Sequence, residues 1–165
     1  MTTQAEDARI RDWLQGRLPD DWFDSFTVVG DREEVTIIGT IGAPDSGSAE
    51  GEAGRIRRFR EDTRSARIAI ARELESSTGR KVAWGVTCGE TTTIFTRLAV
   101  PVMTRLSQPQ RMVLDTLVES GVARSRSDAL AWCVRLVARH QGEWLSDLDS
   151  AMDAVRSVRE KGPST

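Results

Sequence analysis

PVMTRLSQPQ RMVLDTLVES GVARSRSDAL AWCVRLVARH Q, residues 101–141, spells a short strand, a helix, a turn and a second capped helix. Val102–Ser107 is a strand-length run. Ser107 is placed as N-cap before Gln108 and Pro109, and proline suits a first helical turn because its missing N–H costs nothing there. Val113, Leu114, Leu117 and Val118 then form a stripe that needs a core, and Gly121 is placed to end the helix. Ser125-Arg126-Ser127-Asp128 reads as a capping box, with the Ser125 hydroxyl on the Asp128 N–H and the Asp128 carboxylate reaching back. The second helix is expected from Arg126 to about His140. Ala129, Trp132, Cys133, Leu136 and Val137 make its main apolar face, and Leu130 and Val134 are apolar on the other side. A helix apolar nearly all round must be buried nearly all round.

Forty residues of strand–helix–helix cannot offset chain entropy alone. Two copies can, with the strands paired as an antiparallel ribbon over four interlocked helices. Thr104–Ser107, Leu114–Gly121 and Ser125–Leu130, in this order and spacing, resemble the ribbon-helix-helix (Arc/MetJ-like) family of DNA-binding proteins. The resemblance implies a homodimer on double-stranded DNA, with the ribbon in the major groove and the second helix N-terminus on phosphate. With Leu106, Thr104 and Val102 turned inward, Arg105, Met103 and Pro101 face outward. Arg105 is then the base reader, through guanine O6 and N7. Met103 can touch only a thymine methyl, and Pro101 has no donor. Arg124, Ser125, Arg126 and Ser127 are the expected phosphate contacts. The expected dimer core is Leu106, Leu114, Leu117, Ala129, Trp132, Cys133, Leu136 and Val137.

The front of the chain alternates helix and strand signals. Ala5–Arg17 reads as a helix with Ile10, Trp13 and Leu14 on one face, and Leu18–Phe23 breaks it. Phe26–Val29 and Glu34–Ile41 read as two strands around Gly30-Asp31-Arg32. Residues 42–52 read as a mobile loop. Ala53–Thr78 reads as one long helix burying Ile56, Phe59, Thr63, Ala66, Ile70 and Leu74, stopped by Gly79. Val82–Cys88 and Thr92–Leu98 read as strands. The fold class is therefore α+β. A small α-β-β-α-β-β domain with an antiparallel sheet spans residues 1–98, the β-α-α dimerisation module 99–141, and an amphipathic tail 142–165. In the tail, Leu145, Leu148, Met152 and Val155 form the apolar stripe.

Charge is uneven. Residues 1–51 carry a net −7, 52–96 +3, 97–141 +4 and 142–165 −2, so a basic second half follows an acidic front. That pattern suits nucleic-acid contact. Arg57, Arg60, Arg64 and Arg67 recur along one face of the long helix, as a backbone-tracking stripe or, by the plainer reading, a solvated face whose stems cover the core. Cys88 and Cys133 lack CxxC spacing and read as reduced structural thiols. His140, the single histidine, has no Cys or carboxylate at ligand spacing, so no metal or other cofactor is expected. Trp13, Trp84 and Trp132 read as core. No P-loop or dinucleotide fingerprint occurs, and no signal peptide or membrane-length run is read. The leading expectation is a cytoplasmic, nucleoid-associated, homodimeric DNA-binding transcriptional regulator without enzymatic activity. The alternative is a dimeric scaffold whose front domain binds another protein. An antitoxin-like role fits less well, because a folded domain stands where such proteins carry a short tail.

Overall fold

The front helix forms as α1 (Gln4–Arg17), which buries Ile10 and Leu14 and continues its stripe to the partly buried Leu18. Trp13 falls at the margin of that stripe and is 36% exposed, a correction to its expected place in the core. Trp22, in the segment that breaks the helix, enters the core instead, packing edge-on against Phe23, Phe59 and Trp84. The structure, a computed structural model, describes residues 4–45 and 47–161. The parts of the N-terminal, loop and tail readings that fall on residues 1–3, Ser46 and 162–165 lie outside the described residues.

β1 (Ser25–Gly30) and β2 (Glu34–Ile41) pair antiparallel. The turn between them is closed by the Asp31 carboxylate, which accepts from the Glu33 and Glu34 N–H groups. On β2 every second residue is buried, Val35, Ile37, Gly39 and Ile41, the period expected of one face against a core. Helices α2 (Ala49–Asp62) and α3 (Arg64–Thr78) then carry the chain back, so that β3 (Lys81–Cys88) lies parallel to β2. β4 (Thr91–Ile94) closes the sheet antiparallel to β3, giving the order β1-β2-β3-β4. The expected antiparallel sheet is thus corrected to a mixed one. A helical crossover between two strands returns the chain to the end where it started, which permits parallel pairing.

Two further corrections concern the crossover. Its first helix begins at Ala49, inside the expected loop, because Ser48 caps it by accepting from the Gly51 N–H. The expected single helix is two, interrupted at Thr63. The Thr63 hydroxyl donates to the Phe59 carbonyl, a back-bond that bends helices, and receives the Arg67 Nε–H. On the α3 side of this break Arg67 is buried and Ala66 exposed, the reverse of the expected stripe. Gly79 ends α3 in the left-handed conformation, φ 70°, as its position in the sequence suggests. The core joins Ile10, Leu14, Val35, Ile37, Ile70, Leu74 and Trp84 with a second cluster of Ile41, Ile56, Val86 and Cys88.

The expected strand 92–98 stops at Ile94, and residues 95–107 carry neither helix nor strand. Val102–Ser107 is therefore no strand within one chain. A strand needs a pairing partner, and none of the described strands reaches it. Helices α4 (Gln108–Glu119), α5 (Arg126–His140) and α6 (Gly142–Lys161) follow. The chain divides into two compact units, Met1–Val102 and Met103–Thr165. It is an α+β protein.

Candidate functional site

The C-terminal unit is built by its caps. The Ser107 N–H donates to Gln110 Oε1 at 2.8 Å, and Pro109 occupies the first turn of α4. Gly121, at φ 78°, turns the chain after α4, where Val122 and Ala123 both donate their N–H to the Leu117 carbonyl. Ser125 caps α5 by accepting from the Asp128 N–H at 3.2 Å. The Asp128 carboxylate reaches back one residue further than expected, to the Arg124 N–H at 3.0 Å. That bond, aided by the nearby Arg124 and Arg135 guanidinia, holds its carboxyl below the usual range.

Around this frame the buried core is small. Leu114, Ala123 and Ala129 are buried, with Leu106, Leu117, Val118, Leu130 and Cys133 partly so. Trp132 and Leu136 are half-buried, and Val137, expected in the dimer core, is exposed. Val113 and Val134 are exposed as well, as is the tail stripe of Leu145, Leu148, Met152 and Val155. Among the described residues of this unit, nothing covers these apolar faces fully.

The expected DNA-facing residues are brought into two groups. Arg105 and Met103 lie in the irregular segment before α4, Met103 98% exposed. Arg124, Ser125, Arg126 and Ser127 cluster at the start of α5, where the Arg126 and Ser127 N–H groups have no acceptor among the described residues. The Arg124 side chain is 94% exposed and only loosely paired, 3.6 Å from Asp128. Arg126 differs from expectation. It clamps Asp115 of α4 with two hydrogen bonds of 2.6 and 2.8 Å, so its fork is already occupied. That clamp also holds the Asp115 carboxyl below its usual range.

The basic stripe of the front unit splits in the same way. Arg57, Arg60 and Arg64 are exposed, whereas Arg67 is buried, donating to Thr63 Oγ1 at 2.9 Å and the Arg60 carbonyl at 2.7 Å. Its guanidinium sits 4.8 Å from the Phe95 ring centroid, with that of Arg60 at 5.5 Å from the same ring. Burial, with the neighbouring Arg60 and Arg64 charges, pushes its pKa down to about 10.

Sequence spacing missed a cleft of about 580 Å³ beside the end of β2, lined among others by Asp21, Trp22, Asp24, Arg55, Arg58 and Phe59. Its residues come from three separate segments, so no local pattern marks it. No histidine or cysteine lines it. The Cys88 thiol is buried and pushed up in pKa by that burial, which suits packing more than nucleophilic chemistry. Among the described residues no group of His, Cys, Asp or Glu is arranged to hold a metal ion. Among them, too, no helix is long and apolar enough to cross a membrane.

Residues 8–94 match the family described as Rv1265-like protein, N-terminal domain, and residues 107–159 match the Mb1296 C-terminal domain. The second match covers the helix pair and most of the tail, and neither description mentions a ribbon-helix-helix. The chain is 53% identical over 164 residues to the uncharacterized proteins Rv1265 of Mycobacterium tuberculosis and Mb1296 of Mycobacterium bovis, covering 97% of this chain and 73% of each relative. No solved structure matches it. Matched in both units and along nearly its whole length, the chain belongs to the Rv1265-like family.

Proposed function

We propose that this protein is a homodimeric DNA-binding regulator, in which residues 102–107 of two copies pair as a ribbon and the start of α5 rests on phosphate. The observation that carries the reading is the uncovered apolar surface of α4 and α5 beside an unpaired, exposed strand-length segment. A second copy would cover the helices and pair the segment in one step, since antiparallel pairing satisfies the backbone groups each strand leaves open. Arg105 is the base reader, and Arg124 replaces Arg126 as the leading phosphate contact because Arg126 is committed to Asp115. The role is non-catalytic.

A scaffold role is the second reading, and the Arg126–Asp115 clamp with Met103 beside Arg105 favours it. Both reduce the polar groups free to meet DNA. A mobility-shift titration at several salt concentrations separates the two. Arg105→Ala is expected to cost about 1–3 kcal/mol and relax preference at one base pair per half-site. Arg124→Ala is expected to weaken all sequences alike and lower the salt slope by about 0.9. A dimer with no salt-dependent DNA binding would leave the scaffold reading standing.

A further inference from the structure

Seven arginines lie between Arg55 and Arg72 on α2 and α3, and none makes an ion pair among the described residues. Elsewhere some arginines are paired, Arg17 with Glu73, Arg80 with Glu6 and Arg126 with Asp115, so the α2–α3 run stands out by its density of cations. Three carboxylates of α2 and α3 are engaged elsewhere, while Glu61 and Asp62 stand exposed next to Arg60 and Arg64 in sequence without an ion pair among the described residues. Glu73 goes to Arg17, Glu75 to Lys81 and the buried Glu52 to the Thr91 hydroxyl. Arg67 is the sharpest case. It is 7% exposed, bonded only to neutral oxygens, and shares the Phe95 ring with Arg60. A cation buried without a carboxylate and beside like charges costs stability, and an external anion would offset that cost.

We propose that Arg57, Arg60 and Arg64, with Arg67 and Phe95 beneath them, form a second phosphate-tracking surface that holds the backbone of double-stranded DNA. This rests on the DNA-binding reading above and adds a sequence-independent contact to it. The three exposed arginines recur every three or four residues over seven positions, a ridge of roughly 10 Å at helical rise. One DNA strand presents roughly three phosphates over that length. A mononucleotide would engage only part of the ridge, and the arginine fork suits phosphate oxygens.

The test is the binding of the full chain to a mixed-sequence duplex, followed by fluorescence anisotropy between about 50 and 200 mM salt. Replacing Arg57, Arg60 and Arg64 together by Gln is expected to lower the salt slope by about 2.7. A control triple at the exposed Arg9, Arg11 and Arg32 is expected to leave it unchanged. Should the ridge triple melt early, Arg57→Gln and Arg64→Gln singly carry the test, each expected to lower the slope by about 0.9. A wild-type slope in the ridge variants, or an equal loss in the control, overturns the proposal. Arg105→Ala and Arg124→Ala separate it from the ribbon reading. If they are silent while the ridge variants lose slope, the ridge stands and the ribbon falls. The opposite pattern removes the ridge alone. A wild-type chain that binds no duplex removes both.

Discussion

Gly79 and Gly89 adopt nearly the same left-handed backbone, φ 70° and 58°, but face different surroundings. A Cβ on Gly79 would meet nothing within 4 Å, whereas one on Gly89 would lie 2.0 Å from Glu52 Oε1. Glu52 is 6% exposed and receives the Thr91 hydroxyl at 2.6 Å, so displacing it exposes or orphans a buried carboxylate. Gly79→Ala is therefore expected to cost about 1 kcal/mol, the ordinary strain of a side chain at positive φ. Gly89→Ala is expected to cost more, roughly 2–4 kcal/mol, since it adds the loss of a charged hydrogen bond to that strain. Urea unfolding of the two variants checks the order, and equal costs would show that Glu52 moves aside freely.

At the level of elements, acid tests the caps and clamps. Asp128 is held below its usual carboxyl range chiefly by the Arg124 backbone N–H, Asp115 by Arg126, and Asp31 by the Glu33 and Glu34 N–H groups. A carboxyl lowered in the folded state stabilises fully above its unfolded pKa and loses that contribution as pH falls through the folded value. Stability of the α4–α5 pair is thus expected to decline below about pH 4 and hold steady above about pH 5. Helical circular dichroism against pH measures it. Asp128→Asn should flatten the decline in part, with the remainder left to Asp115. The caps behind this prediction are local signals, and α5 accordingly begins and ends where its sequence says. The break at Thr63 was not legible, because it depends on which i−4 carbonyl a threonine hydroxyl meets once Arg67 packs beside it.

For the whole molecule, the expected dimer has a mass consequence and an energetic one. Sedimentation at micromolar concentration is expected to give twice the 18.3 kDa chain mass, with a melting temperature that rises with protein concentration. Trp132 and Leu136 are half-buried within one chain. Leu136→Ala or Trp132→Ala is expected to cost about 2–5 kcal/mol if a second copy completes their burial. Costs near 1 kcal/mol, with a concentration-independent melt, would mean a folded monomer and sink the ribbon pairing.

What the sequence determined by itself is local. Ser107, Gly121, Ser125 and Gly79 mark helix ends, and the alternation of Val35, Ile37 and Ile41 marks β2, because a cap or a periodic face acts within a few residues of its own position. The candidate DNA-facing residues were legible only as positions along such elements. Tertiary structure alone decided the parallel pairing of β2 with β3, and it placed Trp22 in the core where Trp13 was expected. It also tied Arg126 to Asp115 and buried Arg67 over Phe95. The Arg126–Asp115 clamp depends on how α5 folds back against α4. The strand pairing, the Trp22 packing and the Arg67–Phe95 contact each depend on segments far apart in the chain competing for the same space. No window of neighbouring residues contains that competition.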